Sequence, residues 1–373
     1  MARILFSGGG SGGHTYPIIS IARSLKNIAK TENISLDLVF VGAVNFEENL
    51  LTKEGVRVYS LPAGKLRRYP SILVPLDILK SIIGFFYALF FLWWFLPDVI
   101  FSKGGYGSLA VGLVGRLYFI PLVVHESDYN PGLANRLLAK IATKVIISFP
   151  NTAKFFNAKK TVFLGNPVRI ELRNATQKDA QALFNIKGDR PVVLILGGSQ
   201  GSTRINKLIA ESLHDLLLHY EVIHQCGDVN EGIFKNELLT LYNIDVKTSP
   251  YYHLKGFFNE KEQAAALAAA NFIVSRAGAG TIYEIALVGK PVLLIPLPES
   301  ASRHQHYNAF YYARLGAAIV IEQENLTPHI LMNEIADTLA NPEKIEKMSK
   351  AAKEFAKPDA AEKIARGLLE LTE

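Results

Sequence analysis

Cysteine is almost missing: Cys226 stands alone among 373 residues. A lone thiol excludes an internal disulfide and a cysteine-ligated metal cluster, and it carries no signature of an oxidising compartment. Asp-x-Asp is absent too, and the nine histidines have no carboxylates at metal-ligand spacing. Nothing in the pattern therefore prepares a divalent-cation site, and no metal is expected. The first residues show neither an apolar signal core nor a small-residue cleavage site, so a cytoplasmic location is the expectation. Charge of one sign is only mildly in excess. Forty Lys and Arg against 34 Asp and Glu leave +6, which suits phosphates or acidic lipid surfaces and is too dispersed to indicate nucleic acid.

Apolar residues are plentiful, at 49% against 20% charged, enough for two globular cores. Strand-like runs at 3–7, 36–41, 56–61, 98–102, 121–125 and 144–148 alternate with helical ones, the pattern of parallel strands joined by crossover helices. A polar stretch over 165–191 is bracketed by Gly and Pro, and a new apolar strand at 192–196 runs into "GGSQGS" at 197–202. Further on, "FIVSRAGAGTIYEIALVGKPVLLIP" reads as a strand to Ser275, a turn, a helix from Thr281, a stop at Gly289 and a strand to Ile295. The tail from Thr327 is helical by spacing. These features predict an α/β protein with two doubly wound domains, 1–168 and 169–350, and a C-terminal helix over 351–373 that can pack back on the first.

The run "SIIGFFYALFFLWWFL", residues 81–96, has no charge and lies between Lys80 and Pro97. It falls between a core helix and a bilayer span in length. Crossing would strand residues 98–102 on the wrong side of the membrane from the strands they pair with. A helix dipping into one leaflet fits better, with Lys65, Arg67, Arg68 and Lys80 near acidic headgroups and Tyr87, Trp93 and Trp94 at the interface. A buried crossover helix is the alternative.

The opening "FSGGGSGGHTYP" places Gly8, Gly10 and Gly13 in the G-x-G-x-x-G pattern after an apolar strand. A nicotinamide site would add an acid at the end of the second strand, but Asp37 sits at its beginning. The turn is read instead as an anion site for a diphosphate at a helix N-terminus, with a plain tight turn as the alternative.

"GGGSGGHTYP", "SKGGYGS", "HESDYNPGLANRLLAK", "GNPVR", "GGSQGS", "RAGAGTIYEIALVGKP" and "RHQHYNA" occur in this order between residues 8 and 309. Together they resemble the MurG family of bacterial peptidoglycan glycosyltransferases, glycosyltransferase family 28. The resemblance implies two facing Rossmann-like domains of the GT-B type, with the lipid acceptor on the first and the UDP-sugar mainly on the second. It implies an inverting, metal-independent transfer without cofactors at the cytoplasmic face of the membrane. N-acetylglucosamine would pass from UDP-N-acetylglucosamine to the C4 hydroxyl of undecaprenyl-pyrophosphoryl-N-acetylmuramyl-pentapeptide. A related transferase acting on another lipid acceptor is the alternative.

The same resemblance implies donor contacts at Ser11, Gly12, Gly13, Asp128 and Arg169, and in the turn Gly198, Ser199, Gln200 and Gly201. Others fall at Phe258, in the run Ala279, Gly280, Thr281, Ile282, Tyr283 and Glu284, and at Gln305. The acceptor diphosphate is assigned to Gly10, Ser11, Gly12 and Gly13 and to Gly104, Gly105, Tyr106 and Gly107. Arg169 can fork onto phosphate oxygens, and Gln305 can both donate to and accept from sugar hydroxyls. Glu284 is assigned to the ribose, or alternatively closes a Thr281-x-x-Glu284 capping box. Phe258 is assigned to the uracil, with Phe257 as alternative. "HESD" departs from the commoner "HEQN" by placing an acid, Asp128, where an asparagine would meet the sugar. His14 is the candidate base, because imidazole titrates near neutrality. Glu126 is the second candidate, or else a structural carboxylate held by backbone amides, and His125 is structural.

Overall fold

The computed structural model describes residues 1–9, 12–43, 48–64, 72–198, 200–300 and 303–372, and of Gly12 and His14 the backbone alone. Gly10, Ser11, Lys65, Arg67, Arg68 and Ser199 lie outside the described residues. The chain divides into two compact units, one of Met1–Val168 with Lys357–Glu373, the other of Arg169–Ala356. The break anticipated after residue 350 falls inside a helix that continues to Phe355, and the chain rejoins the first unit at Lys357.

The first unit runs β1 (Ala2–Gly9), α1 (Gly12–Glu32), β2 (Leu36–Ala43), α2 (Glu48–Lys53), β3 (Arg57–Ser60), α3 (Val74–Phe95), β4 (Val99–Ser102), α4 (Ser108–Leu117), β5 (Leu122–Glu126), α5 (Leu133–Ile141), β6 (Lys144–Ile147) and β7 (Thr161–Phe163). The second runs α6 (Gln177–Phe184), β8 (Val192–Leu196), α7 (Thr203–His219), β9 (Glu221–Gln225), α8 (Asp228–Tyr242), β10 (Tyr252–Lys255), α9 (Glu260–Ala269), β11 (Phe272–Ser275), α10 (Ala279–Val288), β12 (Val292–Leu294), α11 (His304–Arg314), β13 (Ile319–Val320), α12 (Pro328–Leu339) and α13 (Pro342–Phe355). Helix α14 (Ala360–Leu369) closes the first unit.

Strand order is β3-β2-β1-β4-β5-β6-β7 in the first sheet and β10-β9-β8-β11-β12-β13 in the second, and every pairing is parallel. Parallel strands covered by helices on both faces read as continuous apolar runs, as in "VIFS" of β4 and "VVLIL" of β8, both wholly buried. The order reverses between β1 and β4 and again between β8 and β11. Four strands escape the sequence reading: β7 and β13 are two or three residues long, while β9 and β10 carry polar residues. The polar stretch after the first unit also holds α6, started by a reciprocal Thr176–Asp179 capping box.

One face of the first sheet packs Ile4 and Phe6 against Ile18, Ile21 and Leu25 of α1 and Ile364, Ala365, Leu368 and Leu369 of α14. The other face packs Leu5, Val39 and Val41 against α3 and α4. In the second unit Val193 and Ile195 meet Ile205, Ile209 and Leu213 of α7 and Leu331 and Ile335 of α12.

Helix α3 is apolar all round, but only one stripe is used. Gly84, Ala88, Phe91, Leu92 and Phe95 are buried, spaced to fall on one face. Phe86, Phe90, Trp93 and Trp94 are 57% to 68% exposed. The alternative of a buried crossover helix therefore fails on one side. Leu113, Leu117 and Phe119 extend the exposed apolar surface from α4, and Tyr118 donates to the Leu89 carbonyl at 3.2 Å, joining the two helices. Among the described residues α3 alone is long and apolar enough to cross a membrane. Yet the chain re-enters the sheet at Val99, which pairs with Ile4 of β1.

The returning helix α14 supplies Ile364, Ala365, Leu368 and Leu369 to the core of the first unit. Leu368→Ala, at a position 1% exposed, should cost about 2–5 kcal/mol, read as a lower midpoint for the first unit in urea unfolding. An unchanged midpoint would mean that α14 is only an appendage.

Candidate functional site

In an open parallel sheet the ligand crevice lies beyond the strand C-termini where the order reverses. In the first unit β1 ends there in Gly8–Gly9 and leads to α1, while β4 leads through Lys103–Gly107 to α4. Gly104 has φ +86, and a Cβ there would lie 2.6 Å from Asn135 Oδ1, so the turn accepts only glycine. Gly107 is the N-cap of α4, and Tyr106 is half-buried. The first-turn amides of α1 and α4 have no intrahelical acceptors and suit an anion. Gly12 and Gly13 open α1, and His14 is its third residue.

Behind these turns sits a buried polar cluster. Lys103, 2% exposed, donates to His125 Nδ1 at 2.7 Å, to Asn166 Oδ1 at 3.1 Å and to Ser127 Oγ. His125 Nε2 lies 3.1 Å from the Gly165 carbonyl, which can only accept. The ring therefore carries its proton on Nε2 and offers the Nδ1 lone pair to Lys103. Burial pushes the Lys103 ammonium down to about 7, against the pull of Glu126 and Asp128. Lys103 escapes sequence reasoning; the available signal is a cation placed directly after a wholly buried strand.

Glu126 is buried and fully engaged. Its Oε1 accepts from the Asp128 amide at 2.9 Å, and its Oε2 accepts from the Gly132 amide at 3.0 Å and from Asn135 Nδ2 at 2.9 Å. Burial, then Asp128, raises its pKa, opposed by these hydrogen bonds. That is the geometry of a clip closing the 126–132 loop. This geometry favours the alternative reading of Glu126, a structural carboxylate held by backbone amides, over that of the base. Asp128, half-buried, has its carbonyl 3.3 Å from Thr152 Oγ1.

In the second unit the switch point brings the β8 turn beside β11. Gly201 has φ +74 and a Cβ there would meet the Cys226 carbonyl at 2.1 Å. Gly198 also has positive φ, and exposed Gln200 follows. Ser202 caps α7 by accepting from the Ile205 amide and takes a 2.6 Å bond from Arg276. Buried Arg276 also donates to Gln323 Oε1 at 2.7 Å and to the Ile295 carbonyl at 3.1 Å. It too was missed in the sequence. Beneath the turn His224, pushed by burial down to about 3 and so neutral, links Tyr252 at 2.9 Å to Asn206 at 3.2 Å. Asn206 in turn donates to the Cys226 carbonyl.

Helix α10 starts at Ala279 with Gly278 as N-cap and no side-chain cap bond. Thr281 and Glu284 therefore form no capping box. Instead Glu284 faces Arg169, Oε1 to Nε 3.1 Å, with both side chains nearly buried. Burial raises the Glu284 pKa, countered by Arg169 and by a hydrogen bond from Gln263. Ala279, Gly280 and Thr281 bring first-turn amides, but Ile282 and Tyr283 point into the core, Tyr283 against Phe355 with ring centres 4.6 Å apart. Their side chains cannot meet a ligand. Nor can the ring of Phe258, 1% exposed and packed edge-on to Phe184; its assignment to uracil is corrected, and Phe257 is the half-buried neighbour. Gln305 is the second residue of α11, and its Oε1 accepts from the Leu297 amide at 3.1 Å. Among the described residues no three His, Cys, Asp or Glu side chains cluster at metal-binding distance.

A model for the glycosyltransferase family 28 N-terminal domain matches residues 4–147, and one for the family's C-terminal domain matches residues 192–364. The UDP-N-acetylglucosamine–N-acetylmuramyl-(pentapeptide) pyrophosphoryl-undecaprenol N-acetylglucosamine transferase of Treponema denticola is 32% identical, covering 95% of this chain and 94% of its own. The enzyme of the same name from Clostridium kluyveri is 34% identical over 90% of each. The crystal structure of Acinetobacter baumannii MurG superposes with a TM-score of 0.75 at 26% identity, covering 99% of this chain and all of that one. The UDP-GlcNAc 2-epimerase of Neisseria meningitidis shares the fold, with a TM-score of 0.69 at 16% identity over 99% of this chain.

The clip geometry at Glu126 separates structure from chemistry. Glu126→Gln turns one acceptor into a donor facing N–H groups and should cost about 1–3 kcal/mol of stability, measured by denaturant unfolding. Full stability with abolished turnover would restore the residue to the reacting centre.

Proposed function

The chain belongs to glycosyltransferase family 28, and from that premise we infer that it transfers N-acetylglucosamine from UDP-N-acetylglucosamine to undecaprenyl-pyrophosphoryl-N-acetylmuramyl-pentapeptide, the lipid I to lipid II step of peptidoglycan synthesis. The observation that carries this reading is similarity to curated transferases of that name, at 32–34% identity over 90% or more of the chain. The two parallel-sheet domains are of the GT-B type, and each presents glycine turns and helix N-termini at its switch point.

The acceptor diphosphate lies against the first turns of α1 and α4, where Gly12, Gly13 and the Gly104–Gly107 turn expose amides. The β8 turn, with Gly198, Gln200 and Gly201, and the first turn of α10 bind the nucleotide of the donor. Glu284 accepts from the ribose, and Arg169, already beside it at 3.1 Å, reaches the phosphates. Gln305 and Asp128 read the sugar hydroxyls. With amides and guanidinium stabilising the departing UDP, the transfer proceeds without a metal. His14 takes the proton of the attacking C4 hydroxyl, so that the anomeric carbon is inverted as UDP leaves. Support for His14 is its place in the first turn of α1 together with the engagement of Glu126 elsewhere.

The test is transfer of label from UDP-N-acetylglucosamine to a panel of lipid acceptors. Lipid I should be labelled in excess EDTA, and preference for another lipid would select the alternative acceptor. His14→Ala should lower kcat by roughly 10² to 10⁴ with UDP affinity unchanged. Weakened UDP binding at full kcat would reduce His14 to a shaper of the turn.

The protein works as a peripheral enzyme at the cytoplasmic membrane face, with the exposed side of α3 and the end of α4 against lipid. Phe86, Phe90, Trp93, Trp94 and Phe119 support this, an aromatic surface larger than isolated exposed apolar residues account for. Phe90→Ser/Trp93→Ser/Trp94→Ser should abolish salt-resistant binding to acidic liposomes and slow transfer to the natural lipid far more than to a short-chain soluble analogue. Equal losses on both acceptors would remove the helix from the membrane contact.

A further inference from the structure

The geometry points to Lys103 as a positioning residue of the transfer: its ammonium ties the β4 turn to the loop after β5 and to the 165–168 segment, and its charge permits a carboxylate at position 128. The argument begins with counting. An ammonium has three N–H bonds and no lone pair. Lys103 Nζ has three partners, His125 Nδ1, Ser127 Oγ and Asn166 Oδ1. The first must accept, because the Gly165 carbonyl takes the proton of the other ring nitrogen. Asn166 Oδ1 can only accept, and Ser127 Oγ already donates to it at 3.2 Å. The network is complete only with the lysine protonated.

Electrostatics set the condition. Among the described residues the titratable groups around Lys103 are His125 and Glu126 at the end of β5 and Asp128 in the following loop, and a Cβ at Gly8 of β1 would lie 3.4 Å from that of Lys103. Burial works against the ammonium, and the two carboxylates favour it. The reverse also holds, since an acid raises the pKa of its carboxylate neighbour, as Asp128 does for Glu126. Two acids two residues apart, one buried and one half-buried, need a cation, and Lys103 is that cation. Above pH about 7, where the ammonium gives up its proton, the third bond is lost and the 125–128 segment loses its anchor.

The kinetic part rests on the transferase reading, so the test has one arm that does not. In the protein with [¹³Cε]lysine, a resonance absent from Lys103→Met should titrate near pH 7 and move to lower pH in Asp128→Asn, because an acid that favours the ammonium has gone. A titration unmoved by Asp128→Asn overturns the pairing whether or not the protein transfers sugar. In the transfer assay Lys103→Met should lower kcat/KM at least thirtyfold, with a cooperative urea transition of the first unit well above assay conditions as the check on folding and the UDP dissociation constant within twofold of wild type. Because Asp128 also reads the donor sugar, the coupling is read as a cycle: the loss caused by Lys103→Met should be at least fivefold smaller in the Asp128→Asn background than in wild type, and wild type should lose activity through an alkaline limb near pH 7 that Asp128→Asn shifts down. Wild-type kinetics in Lys103→Met, or losses that simply multiply in the double variant, overturn the inference. Absence of transfer by the wild type with the NMR coupling intact would instead count against the transferase reading alone.

Discussion

Parallel pairing is the constraint on which both sites depend. When every strand in a sheet points the same way, all strand C-termini arrive at one edge, and each must be followed by a turn into a crossover helix. That edge therefore collects helix N-termini, with their unpaired amides and positive dipole ends. Where strand order reverses, two such turns diverge to opposite faces and leave a crevice. The β1/β4 and β8/β11 junctions are these places, and they hold Gly104 and Gly201, where positive φ and close neighbouring atoms leave no room for a side chain. The unpaired amides that suit an anion are thus supplied by the architecture before any charged side chain is considered.

Much of this was legible in the sequence, for a physical reason. Buried parallel strands must be apolar on both faces, and tight strand-to-helix turns must be glycine-rich, so β1, β4, β8, β11 and their turns announce themselves. What was hidden depends on partners distant in the chain. Thr281-x-x-Glu284 has the spacing of a capping box, yet the helix begins two residues earlier, at Ala279, and the glutamate turns to Arg169 instead. Phe258 has the composition of a stacking ring and is core, because α6 brings Phe184 against it. Glu126 has the chemistry of a base, and its role as a clip depends on Gly132 and Asn135 folding back over it.

Helix α3 shows a different limit. Its residues are apolar on every side, so no periodicity distinguishes the stripe that packs on the sheet from the stripe that does not. Small residues decide it: Gly84 and Ala88 lie on the buried side, where Gly84 approaches the Pro62 carbonyl so closely that a Cβ would fall 2.0 Å from it. Close approach on that side leaves Phe91 and Phe95 in the core and turns Phe86, Phe90, Trp93 and Trp94 outward. The exposed patch is therefore a consequence of how the helix docks, and its composition shows that it is not a surface suited to water.

The two switch points also share a local sequence plan. "FSKGGYGS" after β4 and "VSRAGAGT" after β11 each run from a buried strand through serine to a cation and then to glycines before a helix. In each case the cation turns inward and fastens neighbouring segments: Lys103 the loop after β5, Arg276 the α7 cap and the end of β12. Burying a charge is costly unless it is hydrogen-bonded; Lys103 has an acceptor for each of its three N–H bonds and Arg276 makes three hydrogen bonds, in both cases with partners from separate loops. The two choices are not equivalent. Arg276 spans three partners with a planar fork and stays charged at any physiological pH, as a fixed brace must. Lys103 is a compact point charge with three acceptors and a pKa near 7, so the same brace in the first unit responds to its surroundings, and the acids at 126 and 128 determine how firmly it holds.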